Sequence, residues 1–303
     1  MKHFSTFGFE FTYIPDGHPK DDEERAVSYS DLMRNDFYNH GYNITCYEEE
    51  GAIEINSPAF NTTSQLVKFY NVMKKIASNY NIFTYREDSY SGGGHIHVAI
   101  PDRIYTKRNY LFSFLRNLYR DIYNRPYIMW IFNEYDDDIS AVDISKYNSW
   151  IHDEILTNNN EKMLNDTYLK LGYLVNKLTM KNILDIFELP KGYSTIVHPR
   201  FDYSGRKTKD MPTTIEFRFF DAQRSLEEAL AHYNFINSYL HYIDNITKND
   251  KLIYSERDMK LFQTDYSILE FCDLLVQLKL DWKDYKEFVN RNFERRRKIN
   301  LLR

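Results

Sequence analysis

A chain of 303 residues, 43% hydrophobic and 27% charged, can bury a large core as one domain, or as one domain carrying a substantial insertion. Its formal net charge of −5 argues against a general nucleic-acid binder, whose footprint is basic, and the cluster Arg295-Arg296-Arg297-Lys298 reads as the solvated end of a last helix. Cys46 and Cys272 lie far apart and imply neither a disulfide framework nor a zinc site. With no apolar signal core and no run near the ~18 apolar residues of a membrane span, a soluble, reducing, cytoplasmic setting is expected.

The first expected strand covers residues 5–14, with Phe7, Phe9, Phe11 and Tyr13 on one face and Gly8, Glu10 and Thr12 on the other. A polar, Gly- and Pro-containing loop precedes a short helix over 26–38. A strand over 43–47 and the turn at 48–51 lead into Ala52-Ile53-Glu54-Ile55-Asn56-Ser57-Pro58, where Ile53 and Ile55 face the core and Glu54 the polar side. Pro58 has no N–H to give a ladder and ends it. Asn61-Thr62-Thr63-Ser64 caps a helix to about residue 79, and 81–87 returns as a strand.

The loop Ser89-Tyr90-Ser91-Gly92-Gly93-Gly94 then delivers His95-Ile96-His97-Val98-Ala99-Ile100, with both histidines opposite the apolar positions. A helix over 107–123 follows, then the apolar run 127–132. Residues 134–190 read as a mostly helical insertion without assignable chemistry, and 192–212 as a polar, partly basic approach containing His198, Arg200 and Arg206. The central strand is Thr213-Thr214-Ile215-Glu216-Phe217-Arg218-Phe219-Phe220-Asp221, with Thr214, Glu216, Arg218 and Phe220 on one face and Ile215, Phe217 and Phe219 on the other. Ser225 and Glu228 form a capping box for a helix to about 246, and helical patterns over 266–278 and 282–299 finish the chain.

Four strands thus place Glu10, Glu54, His95 with His97, and Glu216 with Arg218 opposite apolar faces. An isolated Glu-x-Arg reads most simply as an exposed sheet face with a cross-strand salt bridge. The joint pattern reads as a solvated catalytic floor, with carboxylates and a histidine for Mg²⁺ or Mn²⁺ and an arginine for bidentate phosphate contact. The glycines before the histidines allow close backbone approach, but neither a Walker loop nor a Rossmann fingerprint is present.

These residues carry a resemblance. Gly8-Phe9-Glu10, Glu54-Ile55-Asn56-Ser57-Pro58, Gly93-Gly94-His95-Ile96-His97-Val98 and Ile215-Glu216-Phe217-Arg218-Phe219 occur in the order found in the glutamine-synthetase-like carboxylate–amine ligases. The chain resembles most closely the amidoligases, including their phage-borne branch. The resemblance implies an α+β fold: a curved, mainly antiparallel sheet with helices packed behind it. It also implies a single ligase-like domain over 1–303, with the insertion at 134–190 and C-terminal helices over 225–303 packing on the sheet.

The activity it implies is amide formation through an acyl phosphate. ATP and Mg²⁺ (or Mn²⁺) serve as cofactors, and a small-molecule or peptide carboxylate and an amine donor are the partners. Nucleic acid and membrane play no part, and the setting is a host cytoplasm if the chain is phage-encoded. Carried over by residue, Glu10, Glu54, His95 and Glu216 bind metal. His97, Arg200, Arg206, Arg218, Gly93 and Gly94 meet ATP, and Arg218, His97 and Glu216 are catalytic. The family's first strand carries Glu-x-Glu, where this chain has Glu10-Phe11-Thr12; Glu48 or Glu50 could supply the missing acid. The alternatives are a guanidino-type small-molecule kinase, a two-metal phosphohydrolase, and a non-catalytic phage binding or structural protein keeping the fold.

Overall fold

The structure, a computed structural model, describes residues 2–14, 23–49, 52–82, 94–125, 127–132, 197–200, 214–249, 268–292 and 294. The expected insertion at 134–190, Gly93, Arg206, Glu50, most of the strand expected over 81–87 and the cluster at 295–298 lie outside them. In chain order the elements are β1 (Phe7–Tyr13), α1 (Glu23–Asn39), β2 (Thr45–Glu49), β3 (Ala52–Asn56), α2 (Thr63–Asn79), β4 (Ile96–Ala99) and α3 (Asp102–Tyr105). They continue with α4 (Arg108–Asn124), α5 (Tyr127–Phe132), β5 (Val197–Arg200), β6 (Thr214–Phe217), α6 (Leu226–Lys248) and α7 (Ile268–Leu278), before a 3₁₀ turn at Trp282–Asp284 and a helical stretch over 286–292.

The six strands form one sheet in the order β2-β3-β1-β4-β6-β5, and every neighbouring pair is antiparallel, so the class is α+β. Alternation along β1 explains how the layers meet. Phe7, Phe9, Phe11 and Tyr13 are buried on one face, where Phe7 stacks on Tyr233 of α6 with ring centroids 3.6 Å apart. Phe11 meets Phe69 and Tyr70 of α2 at 6.2 and 5.7 Å. Each such ring contributes about 1.5–3 kcal/mol by leaving water, so this face is where the sheet is anchored.

The helix ends follow their local chemistry. Thr62 caps α2 by accepting from Gln65 N–H, and the Gln65 side chain returns a bond to the Thr62 backbone, closing a capping box. The chain leaves α2 through Asn81, whose φ of 53° is the left-handed conformation that asparagine tolerates. That turn takes the first residues of the expected 81–87 strand. At α6, Ser225 accepts from Glu228 N–H at 3.1 Å, but the Glu228 carboxylate accepts from Arg224 N–H rather than Ser225, also at 3.1 Å. Glu228 holds the standard box position but reaches one residue further back, to Arg224, while its other oxygen accepts from Arg291 at 2.7 Å.

The apolar run 127–132 forms helix α5, and one expectation changes: the central strand, read over 213–221, ends at Phe217. Phe219 and Phe220 are both buried, which strict alternation does not allow. Phe220 has left the polar face: its ring stacks on His232 of α6 at 4.7 Å and meets Phe132 of α5 edge-on at 4.9 Å.

Candidate functional site

Register assembles the polar face. In β1–β4, Gly8 lies opposite His97, and in β4–β6, His97 lies opposite Glu216. One row along, Asn56 lies opposite Glu10, and Glu10 N–H donates to the His95 carbonyl at 2.9 Å. The β4–β6 register stops at Ile96 opposite Phe217, so His95 and Arg218 are the residues just beyond it on the two strands. Four strands therefore bring two adjacent rows, Asn56–Glu10–His95–Arg218 and Gly8–His97–Glu216, onto one patch, the juxtaposition that period-two reading anticipates.

Within the patch the Glu10 carboxylate is shared. Oε2 lies 2.6 Å from His95 Nδ1 and Oε1 2.7 Å from His97 Nε2. Glu216 Oε1 accepts from Arg218 Nη1 at 2.8 Å and lies 3.5 Å from His95 Nδ1. One potential ligand atom each from Glu10, His97 and Glu216 fall within 4.8 Å of one another, close enough for one cation to reach all three. The floor is not solvated, as the sequence suggested: Glu216 is 0% and Glu10 4% exposed. Both carboxylates sit beneath partly exposed His95, His97 and Arg218.

That burial sets the electrostatics. Burial works to raise the Glu10 pKa, but the His95 and His97 hydrogen bonds and their charges overcome it and hold the carboxyl well below the usual range. The two buried carboxylates thus share the Arg218 guanidinium and the two imidazoles. Buried charge of one sign is costly unless a cation compensates it. A divalent ion bound between the carboxylates would add to that compensation.

The remaining candidates are placed differently. Glu54 is buried but stands in another row: its Oε1 accepts from the Tyr47 hydroxyl and, at 2.9 Å, from Asn56 Nδ2. Thr12 lies opposite Glu54 in the register, so the position of the family's second acid falls beside a carboxylate that already has two donors. Glu48 pairs with Ile53 and so shares the row of an apolar-face residue, which removes it as the substitute acid on the polar face. Arg200 lies on β5 opposite Thr214 in register.

Gly94 is buried, and a Cβ built there would lie 2.2 Å from the Asp221 carbonyl oxygen and 2.3 Å from Gln223 Nε2. The close approach that requires glycine is therefore to this chain's own backbone. Tyr47, Asn56, Ser57 and Gln223 were not singled out for these roles from the sequence. Ser57 Oγ accepts from Phe9 N–H at 2.8 Å, which continues the β1 pairing at the point where Pro58 stops the ladder. The Ser-Pro dipeptide is its only advance signal.

Behind the patch, His232 is enclosed by Phe132, Phe220 and Phe288. Its Nδ1 lies 3.4 Å from Gln223 Nε2 and its Nε2 3.9 Å from Glu228 Oε1. Burial depresses its pKa to about 4, with Glu228 opposing the shift and Arg291 adding to it. An unfolded-state histidine takes its proton near pH 6.5, so the unfolded chain binds it first as pH falls. The neutral His232 of the folded state thus costs nothing above pH 6.5 and loses about 3 kcal/mol between pH 7 and 4. Urea unfolding of wild type and His232→Leu across that window checks this: the wild type should lose about 3 kcal/mol more than the variant. Parallel pH profiles would show that His232 is protonated in the fold.

No protein-family model and no curated protein matches the sequence. Among solved structures, the crystal structure of the complex between the prokaryotic ubiquitin-like protein Pup and its ligase PafA matches 79% of this chain and 46% of that one, at 12% identity and a TM-score of 0.35. The chain thus spans less than half the length of the matched chain, and a likeness this slight carries no argument about fold or activity.

Proposed function

We propose that the chain is an ATP- and Mg²⁺- (or Mn²⁺-) dependent carboxylate–amine ligase of the glutamine-synthetase-like, amidoligase type. The observation that supports this reading is the convergence of Glu10, His97 and Glu216 within 4.8 Å, with Arg218 2.8 Å from Glu216 at the more exposed edge. Two carboxylates and an imidazole suit a borderline-to-hard divalent ion, and those three residues would hold it. Such an ion supplies charge neutralisation for phosphate oxygens when bound. Arg218 would meet the remaining negative charge of a transferring phosphoryl group, an electrostatic and orienting role. Here His97 takes the metal role that the resemblance gives to His95, because its ligand atom lies within 4.8 Å of both carboxylates; His95 shares Glu10 with it and keeps its metal role only as a proposal.

The reaction runs in two balanced steps. A substrate carboxylate oxygen bonds to the γ-phosphorus of ATP as the bond to the bridging oxygen breaks, releasing ADP. An amine nitrogen then attacks the acyl carbon, phosphate leaves and the amine loses a proton. The acid is a small molecule or peptide carboxylate. Glu54, Arg200, Arg206, Gly93 and Gly94 keep the metal and nucleotide roles assigned from the resemblance only as proposals, and Glu54 is the weakest of the metal candidates because it already accepts two hydrogen bonds.

Thermal unfolding with Mg²⁺ alone, and then with Mg²⁺ and a non-hydrolysable ATP analogue, tests the nucleotide part. A real site gives ~2.7 kcal/mol of stabilisation at a hundred times its dissociation constant. No shift at millimolar analogue sinks it. Trapping with hydroxylamine then separates a ligase from a kinase, because only an acyl phosphate yields the hydroxamate.

A further inference from the structure

β4 and β6 carry the centre of the patch, but His95 lies just before β4 and Arg218 just after β6, where both strands have ended. Something other than the sheet ladder must hold these two residues together. The structure supplies a clasp. Gly94 N–H donates to the Phe220 carbonyl at 2.9 Å. The Gln223 side chain, 0% exposed, points Nε2 at the Gly94 carbonyl, 2.9 Å away, and at the Asp221 carbonyl, 3.1 Å away.

Both amide hydrogens are thereby committed to backbone oxygens of two different segments, one leading into His95 and one leading out of Arg218. Asp221 N–H is itself tied to the Phe132 carbonyl at 3.1 Å, and the absent side chain of Gly94 lets the two segments touch. Among the described residues Gln223 Oε1 has no hydrogen-bond partner, so the two carbonyls, which demand a donor, set the amide's orientation.

We propose that Gln223 is a positioning residue that extends the β4–β6 pairing past its end and so fixes Arg218 against His95. The assignment rests on the proposed cation and nucleotide site and names the residue that shapes its phosphate-facing edge. Glu10, His97 and Glu216 are held mainly by the ladder itself; Arg218, whose guanidinium donates to Glu216, has its backbone placed by the clasp. In Gln223→Leu a side chain of similar volume remains, while both donors vanish.

Two measurements on the full chain test this. Hydrogen exchange should show the Gly94 amide exchanging about tenfold faster in Gln223→Leu, with the amides of β4 unchanged, because the opening is local. Calorimetric titration should show Mn²⁺ alone binding within about threefold of wild type, and the ATP analogue with Mn²⁺ binding about tenfold more weakly. Unchanged Gly94 exchange would overturn the clasp. Equal acceleration throughout β4, or equal loss of Mn²⁺ and analogue affinity, would reduce Gln223 to a general stability role and also overturn it. Wild-type protein that binds no nucleotide would fell the functional reading, while the exchange data still decide whether Gln223 holds the two segments.

Discussion

Glu216→Gln will weaken cation binding severely while leaving the protein at least as stable as wild type in the absence of metal. Glu216 is fully buried, so glutamine is the informative change: it keeps the volume and can still accept from Arg218 Nη1, now 2.8 Å from Oε1. What it removes is one negative charge from a buried pair of carboxylates. A neutral amide loses the charge a hard cation binds, and Mn²⁺ affinity should fall on the order of 100-fold or more.

Stability without metal should hold or rise, because the like charge of Glu10 is no longer opposed. Alanine is a poorer probe. On a solvated floor it would have left the fold intact, but here it opens a cavity and deprives Arg218 and His95 of the oxygen they approach. Isothermal titration with Mn²⁺, alongside urea unfolding, reads both halves. Normal Mn²⁺ affinity with lowered stability would make Glu216 a structural partner of Arg218 and nothing more.

Why the polar face was legible from sequence, and the burial of its acids was not, follows from what period two encodes. Alternation places Glu10, His97 and Glu216 on one side of β1, β4 and β6 wherever the register falls. It says nothing of what lies above them. Burial of Glu10 and Glu216 depends on what packs around them in three dimensions, which no single strand announces. The misread of Phe220 has the same origin. Alternation presumes that the strand continues, whereas β6 ends at Phe217 and the ring of Phe220 turns to His232 on α6.

Run 127–132 was too short for periodicity to separate a helix from a buried strand. Gln223 was invisible for a different reason. Its function is to donate to two carbonyls far apart in sequence, and backbone groups leave no mark on composition. The glycine run signals close backbone approach without saying to what. For Gly94 the reason is contact with Asp221.

That contact makes Gly94→Ala the second large effect, and Gly8→Ala its control. Both glycines belong to stretches that carry the family resemblance, and Gly8 sits opposite His97, so similarity alone would rank them together. Neither has the positive φ that would strain an L residue, so the space around the new methyl group decides.

At Gly94 the methyl carbon would lie 2.2 Å from the Asp221 carbonyl oxygen and 2.8 Å from its carbon, both backbone atoms that cannot rotate away. The segment must shift, and the Gly94–Phe220 hydrogen bond with it. Overpacking of this kind should cost about 3 kcal/mol. At Gly8 the nearest atom is Ser57 Oγ at 3.5 Å, an ordinary contact. Alanine there should leave stability unchanged or raise it by up to about 1 kcal/mol, since it reduces the freedom of the unfolded chain. Urea unfolding of the two variants checks the contrast. Equal stabilities would mean that residues 94 and 221–223 separate at little cost, and the clasp that positions Arg218 would then have too little stiffness to act.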